Sequence, residues 1–173
     1  MQRKLTILCL CVLILLLSLS ACTVKGVTGD QWLLMQEPYM NDLQSFADGI
    51  DEVYSLYING SITKEDFCNE VSVLKDQYCI LKANYELSKE NTHILPESYS
   101  YAAQRGVNGI ENIYRIFEEV LSESFDEYGN PLPQSEISYL YLLKGQEINS
   151  CLADYITAYQ IISSETEVNK NDN

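Results

Sequence analysis

Apolar residues recur in four separate stretches of this 173-residue chain, at alternating steps of four and three positions. This is heptad spacing, and it places one apolar stripe along each of four α-helices. The stripes are Tyr39, Leu43, Phe46, Ile50, Val53 and Tyr57; Phe67, Val71, Leu74, Tyr78, Leu81 and Tyr85; Tyr99, Ala103, Gly106, Ile110, Ile113, Phe117 and Val120; and Tyr141, Gly145, Ile148, Leu152, Tyr155, Tyr159 and Ile162. The pattern predicts an all-α fold in which the four stripes face one another.

The residues between the stripes are of the kinds that end and begin helices. Gly60 can take the left-handed conformation that closes the first helix, and Thr63 with Asp66 three residues later is typical of a helix start. Pro96 suits the first turn of the third helix, and Pro133 that of the fourth. The predicted helices span 31–58, 63–92, 96–125 and 133–163.

The stripes also agree in register. If consecutive helices run antiparallel, residues at one level lie equally far from the turn, and the pairs centre on Gly60 for the first hairpin and on Gly129 for the last. Small residues face large ones in the pairs Gly106 with Leu152, Ala103 with Tyr155, and Ile113 with Gly145. The sequence therefore predicts an up-down-up-down antiparallel four-helix bundle at 31–162, with close helix contact at Gly106 and Gly145.

The first 22 residues form a separate unit. The cationic start Gln2-Arg3-Lys4 precedes an apolar run of 15 residues, from Leu5 to Leu19. This is the layout of a secretory signal peptide, and the run is shorter than the roughly 20 residues of a membrane-spanning helix. The last four residues of the unit, Leu19-Ser20-Ala21-Cys22, resemble the lipobox of bacterial lipoproteins.

The resemblance implies cleavage before Cys22 and diacylation of its thiol. Residues 1–21 would then be a cleaved signal peptide, and 22–30 a lipidated tether. Two or three acyl chains hold a protein on a bilayer far better than one, so the resemblance implies attachment to the bacterial cell membrane on its extracytoplasmic side. The alternative is an ordinary signal peptide with a chance cysteine.

The mature chain is strongly acidic. Cleavage removes Arg3 and Lys4 and leaves 152 residues, with 9 of the 11 basic residues against 25 acidic ones, a net charge of −16. This length corresponds to one domain. Nucleic acid binding requires a cationic surface and is excluded, and an anionic lipid surface would repel the domain. The acidic residues are spread evenly, which favours a solvated exterior, with a basic partner as the alternative.

Three cysteines remain after Cys22. Cys68 and Cys79 are 11 positions apart on one predicted helix, which is roughly 16 Å along its axis. A disulfide requires Cα atoms within about 7 Å, so these two cannot pair with each other. We expect buried free thiols, while a bridge from Cys151 to either of the others stays open.

The apolar stripes carry almost no titratable residues. Bundles with metal sites usually project carboxylates and histidines inward, as in Glu-x-x-His pairs. This sequence has no such pair, and its one histidine, His93, lies in a predicted turn. The acidic segment 126–136 lacks the spacing of an EF-hand calcium loop. We therefore expect no catalysis, no cofactor and no metal site.

Aromatic residues are concentrated at the end of the bundle nearest the proposed lipid. The candidate binding residues there are Trp32, Tyr85, Tyr99, Tyr155 and Tyr159. Trp32 precedes Pro38, which can kink the first helix or let the preceding segment fold over this end as a lid. The aromatic residues form either a hydrophobic plug that completes the core or a contact surface, since tyrosine and tryptophan favour sites that are partly apolar and partly wet.

The tail from 164 to 173 lacks apolar periodicity and is predicted to be disordered. Together these features predict a membrane-anchored, extracytoplasmic lipoprotein whose acidic bundle binds an envelope protein or serves as an accessory module. The alternative is a sensor or carrier of a small apolar or aromatic ligand that uses the Tyr/Trp-rich end.

Overall fold

The computed structural model describes residues 27–92 and 95–171, and four long helices dominate these ranges. We name them α1 (Gly29–Ile58), α2 (Lys64–Thr92), α3 (Ser100–Glu123) and α4 (Gln134–Asn171). Each helix packs against two adjacent helices, α1 also contacts α3 across the bundle, and the described ranges contain no strand. The predicted all-α four-helix bundle is confirmed. The predicted signal peptide, Cys22 and His93 lie outside the described residues.

Helix α1 begins two residues earlier than predicted because Thr28 caps it. The Thr28 hydroxyl accepts a hydrogen bond from the Gln31 amide at 3.3 Å, and the Gln31 side chain accepts one from the Thr28 amide at 3.0 Å. This capping box satisfies donors that a helix start leaves open. The helix then continues through Pro38, an exposed position where water can solvate the freed carbonyl. Trp32 therefore lies on α1 itself and not on a separate lid.

The turn between α1 and α2 has the predicted chemistry. Gly60 adopts a φ of +73°, and the Ser61 amide donates to the Leu56 carbonyl at 2.8 Å. At the start of α2, the Asp66 carboxylate accepts hydrogen bonds from the amide and hydroxyl of Thr63 at 3.1 and 2.7 Å. These bonds hold the pKa of Asp66 below its usual range. The capping pair read from the sequence is confirmed.

Helix α3 begins at Ser100, later than predicted, because a short 3-10 helix, Glu97–Tyr99, follows Pro96. Such turns are frequent at the N-termini of α-helices. After α3, Gly129 adopts a φ of +80°, and the Asp126 carboxylate accepts two backbone hydrogen bonds within the turn. The centre of the last hairpin is where the register of the stripes predicts it.

Helix α4 is longer than predicted. It begins at Gln134 and continues to Asn171, so it extends beyond the predicted end at 163 into the segment 164–173. Starting a helix is costly, but each residue added to an existing helix gains a hydrogen bond. A polar segment without apolar periodicity can therefore continue a helix that the core has already formed.

The core is rich in tyrosines whose hydroxyls have partners. The Tyr54 hydroxyl donates to the Val120 carbonyl at 3.0 Å, and the Tyr78 hydroxyl donates to the Tyr114 carbonyl at 2.9 Å. Burial raises the pKa of Tyr54 to about 12 and also raises that of Tyr78. Because a buried hydroxyl is costly without a partner, these bonds determine how α1 and α2 are rotated against α3.

Helices α3 and α4 approach each other closely at Gly109. A Cβ at this position would lie 2.7 Å from the Cys151 carbonyl oxygen, so only glycine allows the two backbones this contact. A Cβ at Gly106 would meet the Trp32 ring at 3.0 Å, and one at Gly145 would meet nothing within 4 Å. The predicted close contact at Gly145 is wrong, because α4 is rotated so that Gly145 faces open space.

The three cysteines of the bundle are free thiols. Cys68 and Cys151 are half-buried, and burial raises the pKa of the Cys151 thiol. Cys79 is exposed on α2, so the expectation of buried thiols is wrong for this residue.

Candidate functional site

The five aromatic candidates differ in burial. Trp32, Tyr85 and Tyr155 are buried, Tyr99 is half-buried, and Tyr159 is 46% exposed. A side chain without accessible surface cannot contact a partner. Among these candidates, Tyr159 therefore offers the largest surface for contact with a partner, and Tyr99 offers less.

Trp32 packs directly on the backbone of α3 at Gly106. Its indole N–H has no hydrogen-bond partner among the described residues, and neither has the side-chain amide nitrogen of Gln36, one turn further along α1. Both side chains are buried, with 0% and 1% of their surface exposed. The burial of Trp32 favours the interpretation that it completes the core.

Tyr85 belongs to a different cluster from the other candidates. Its ring stacks on Tyr114 at a centroid distance of 4.6 Å and meets the edge of Tyr39 at 5.3 Å. Tyr155 and Tyr159 contact each other on α4, with centroids 6.5 Å apart. The structure thus does not bring the five candidates together into one site.

Tyr155 and Tyr159 line a hollow between α1 and α4 with a volume of about 330 Å³. Its α4 wall also includes Ile156, which is 50% exposed. Its α1 wall consists of Leu33, Glu37, Met40 and Asn41.

A larger hollow, of about 560 Å³, lies further along the same two helices. The buried side chains of Ile50, Phe117 and Val120 line it. Its α1 wall includes Ala47, Asp48 and Asp51, and its α4 wall includes Tyr141, Leu142, Gly145, Ile148 and Asn149. The two hollows share no lining residue and follow one another along the same two helices. We call them together the α1–α4 groove, from Leu33 and Tyr159 at one end to Asp51 and Tyr141 at the other.

Helix α4 is apolar on two faces. One face is buried in the core through Ile137, Tyr155, Ala158 and Ile162. The other lines the groove, where Leu142 is 59% exposed and Ile156 is 50% exposed. A helix that is apolar on both sides normally has neighbours on both sides. Within the described chain, the groove face of α4 lies beside α1, and its exposed residues Leu142 and Ile156 are covered by no further helix.

A single heptad stripe on α4 does not predict this second face. That stripe contains Gly145 and Tyr159, which lie in the groove, together with Tyr155 and Ile162, which lie in the core. The signal that reveals the second face is the presence in α4 of apolar residues outside the assigned stripe, among them Leu142 and Ile156.

Acidic side chains line the α1 wall of the groove at Glu37, Asp48 and Asp51. Asp51 accepts a hydrogen bond from the Tyr141 hydroxyl across the groove at 2.6 Å, and Asp48 accepts one from Gln44 at 2.8 Å. None of the three carboxylates has an ion-pair partner within the described part of the chain.

The cation on the α4 wall, Lys144, is neutralised by α3. Its Nζ lies 2.6 Å from a Glu119 oxygen and 3.7 Å from one of Glu123. The hydrogen bond from Lys144 lowers the pKa of Glu119, and the same bond raises the pKa of Lys144. Glu119 also pairs with Arg115, and Glu147 lies 3.9 Å from the Lys144 Nζ. Because the carboxylates of this cluster outnumber its cations, the field in the groove is negative.

The groove offers apolar area, carboxylates and phenol hydroxyls. Burial raises the pKa of Tyr155 to about 12 and raises that of Tyr141 as well, so both phenols are neutral at physiological pH. Within residues 27–92 and 95–171, no group of three His, Cys, Asp or Glu side chains could bind a metal ion. No helix in these ranges has an apolar stretch long enough to cross a membrane.

Comparison of the chain with models of protein families, with curated proteins and with solved structures finds no match in any of the three. The groove must therefore be interpreted from its own geometry and charge.

Proposed function

We propose that this protein is a bacterial lipoprotein, anchored on the extracytoplasmic side of the membrane, whose acidic bundle binds an envelope protein through the α1–α4 groove. The observation that carries the proposal is the second apolar face of α4, on which Leu142 and Ile156 are each at least half exposed. Exposed apolar side chains that line a groove with polar residues at its edges mark interaction sites. The proposed role is binding, without catalysis and without a cofactor.

The proposed anchor is Cys22, whose setting in the sequence resembles a lipobox. Seven residue steps separate Cys22 from Gly29 at the start of α1, and an extended chain of that length spans at most about 25 Å. An acylated Cys22 would therefore hold the Leu33 and Tyr159 end of the groove close to the bilayer.

Lipidation is tested by feeding cells a palmitate analogue and following the full chain with and without Cys22→Ala. We expect label in the wild-type protein only, together with loss of membrane attachment in the variant. Label that persists in Cys22→Ala would contradict the proposed anchor without affecting the proposed binding role.

Protein binding is tested by photo-cross-linking from the groove. A photoreactive residue replaces Leu142 or Ile156 in the lipidated protein in its native membrane. Matched controls replace Val73 or Ile80 on α2, which are 51% and 63% exposed. We expect one dominant cross-linked protein from the two groove positions and none from the controls. Equal products from all four positions, or none from the groove, would contradict the proposal.

The choice of positions follows from burial. Trp32 and Tyr155 are 0% and 8% exposed, so truncating either residue would test folding before it tested binding. A change in the exposed wall of the groove leaves the core intact and reports on the partner alone.

A small apolar ligand is the second candidate, favoured by the size of the larger hollow. Its volume of about 560 Å³ is within the roughly 300–1,000 Å³ of small-molecule sites. A ligand that binds only the folded state raises the melting temperature. A shift with apolar or aromatic compounds that Gly145→Leu abolishes, combined with no cross-linked protein, would support this candidate over the first.

A further inference from the structure

The α1–α4 groove has the length and regular spacing of a helix contact. Its α1 wall runs from Leu33 to Asp51, which corresponds to about 27 Å at 1.5 Å per residue. An amphipathic helix of five turns is as long as this, and laying its apolar side into such a groove is a recurring mode of recognition.

Both walls repeat at heptad spacing. On α1, the apolar wall residues Leu33, Met40 and Ala47 are seven positions apart. On α4, one row of wall residues follows steps of three and four: Leu142, Gly145, Asn149, Ile156 and Tyr159, with half-buried Leu152 between Asn149 and Ile156. Side chains at steps of three and four form the holes into which the side chains of a neighbouring helix insert. An extended peptide, with its period of two, would not match this spacing.

Gly145 provides the space for such a helix. A Cβ at this position would meet no atom within 4 Å, although its neighbours along the groove, Leu142 and Ile148, are large. Glycine weakens a helix interior by up to about 1 kcal/mol relative to alanine. Its position in the wall leaves room there for one large apolar side chain from outside the bundle.

The negative charge of the groove favours a positively charged partner. Glu37, Asp48 and Asp51 lie along the α1 wall without an ion-pair partner in the described chain, and Lys144 is neutralised by Glu119 and Glu123. A second copy of this acidic chain would bring like charges together, and an anionic lipid surface would do the same. A basic segment is the complement.

We infer that the α1–α4 groove receives a basic amphipathic α-helix from a partner protein, which packs along α1 and α4 as a fifth helix of the bundle. The inference rests on the proposed function and names its partner by chemistry. The apolar stripe of the incoming helix packs over Gly145 and the exposed face of Ile156, and its Lys or Arg side chains pair with Asp48 and Asp51.

The test uses the mature lipidated chain in vesicles of neutral phosphatidylcholine and a displayed library of random peptides of about 20 residues, enough to span the groove as a helix. Peptides that bind empty vesicles are removed first. We expect the enriched peptides to be cationic, with apolar residues at steps of three and four, and to become helical on binding. Enriched peptides that are acidic or lack helical spacing would overturn the inference, and so would a library that yields no binder.

Two variants locate the binding of the best peptide at physiological ionic strength, where charges more than about 8 Å apart are largely screened. Gly145→Leu places an apolar side chain in the groove from a position where a Cβ meets no described atom within 4 Å, and we expect it to weaken binding at least about tenfold. The double change Asp48→Lys with Asp51→Lys reverses the charge of the wall, and we expect a loss of about tenfold.

The matched control for charge is Glu70→Lys with Asp76→Lys, which reverses two exposed carboxylates on α2. We expect a change of less than about twofold. An equal loss in both double variants would mean that the peptide responds to net charge alone, and an unchanged affinity in Gly145→Leu would place it outside the groove. Either result overturns the inference.

The cross-linking experiment tests the proposed function, and the peptide experiment tests the basic helix, so either proposal can be contradicted without the other. A groove-dependent cross-linked protein without any helical basic binder would leave the proposed function standing and overturn the basic helix. If the cross-link maps to a basic amphipathic helix of its partner, and Asp48→Lys with Asp51→Lys abolishes it, both proposals are supported.

Discussion

Two seams on opposite sides of this bundle are built differently. Between α2 and α3, Lys82 lies 2.6 Å from Glu118, and Lys89 lies 2.7 Å from Glu111, so two ion pairs bridge the helices. Between α1 and α4, the Tyr141 hydroxyl donates a hydrogen bond to Asp51 across the groove at 2.6 Å, and the Gln134 side-chain amide donates one to the Tyr57 carbonyl at 2.9 Å. The hollow in the first seam has a volume of about 250 Å³, against about 560 Å³ for the larger hollow of the second.

The difference shows that charged side chains can close a seam that small and apolar residues leave open. In the α2–α3 seam, long side chains extend over stacked tyrosine rings, and Lys82 lies 5.6 Å from the centroid of the Tyr78 ring. Lysine covers apolar surface in this way while its charged end stays in water. The α4 wall of the groove has Gly145, which has no side chain, and Asn149, whose short side chain does not bridge to α1. Ion pairs bridge the α2–α3 seam, and the α1–α4 seam has the larger hollow.

We expect the largest difference in stability between a core residue and an exposed residue at the Tyr159 end of the groove. Trp32→Ala removes a fully buried ring that packs on α3, and we expect it to lower the free energy of unfolding by about 3–5 kcal/mol. Tyr159→Ala removes a side chain that is 46% exposed, and we expect a loss below about 1 kcal/mol. Urea unfolding of the two variants checks the pair. Equal losses would mean that Tyr159 is part of the core.

Gly109 on α3 faces the core side of α4, and Gly145 on α4 faces the groove. Replacing each with alanine should change the free energy of unfolding in opposite directions. Gly109→Ala places a Cβ 2.7 Å from the Cys151 carbonyl oxygen and should cost about 1–3 kcal/mol. Gly145→Ala meets open space and should stabilise the helix by up to about 1 kcal/mol. Thermal unfolding measures both changes. A destabilising Gly145→Ala would mean that the groove is narrower than its geometry indicates.

The tyrosine hydroxyls in the two seams should also contribute differently to the free energy of unfolding. Tyr78→Phe removes a buried hydroxyl bonded to the Tyr114 carbonyl, and we expect a loss of about 1 kcal/mol. Tyr141→Phe removes the bond to exposed Asp51, where water can replace it, so the loss should be at most about half as large. Chemical unfolding of the two variants measures both losses of stability. A larger loss in Tyr141→Phe than in Tyr78→Phe would contradict the prediction.

The smallest effect is the pH dependence of the ion pairs. The hydrogen bond from Lys82 lowers the pKa of Glu118, so ionised Glu118 stabilises the fold above its unfolded-state pKa of about 4.3. That contribution is lost as pH falls through the lower pKa of the folded state. Because the carboxylate is 56% exposed, we expect Glu118→Gln to cost only about 0–1 kcal/mol at neutral pH and nothing at low pH.

The matched variant for that measurement is Asp48→Asn, in the groove, where the carboxylate has no ion-pair partner among the described residues. Unfolding at several pH values compares the two. A loss in Asp48→Asn as large as that in Glu118→Gln would mean that the negative wall of the groove is stabilised from within, and that it is not free to pair with a partner.

The helices and turns could be predicted from the sequence because their causes are local. Heptad spacing, the Thr63 and Asp66 cap, and the glycines at 60 and 129 each act within a few residues of the chain, and the structure confirms them. The α1 start at Gly29 was also readable, since Thr28 and Gln31 have the spacing of a capping box. The end of α4 was not, because helix propagation depends on the helix that precedes it.

The candidate site was predicted only in part, for a geometric reason. The sequence placed Trp32, Tyr85, Tyr155 and Tyr159 at one end of the bundle, but burial and direction depend on the rotation of each helix about its axis. A rotation of one residue is about 100°, enough to move a side chain from the core to a groove. Tyr155 and Tyr159 both belong to the predicted stripe, yet one is buried and the other is half exposed.

The sequence by itself determined the number of helices, their turns, the acidic charge and the lipobox-like start, because each depends on residues close together in the chain. Tertiary structure decided which face of α4 is buried. The contact between Gly109 and the Cys151 carbonyl, together with the Trp32 ring on Gly106, sets how α4 and α1 are rotated against α3. With α4 in that rotation, its second apolar face lies beside α1, and no helix of the described chain covers it.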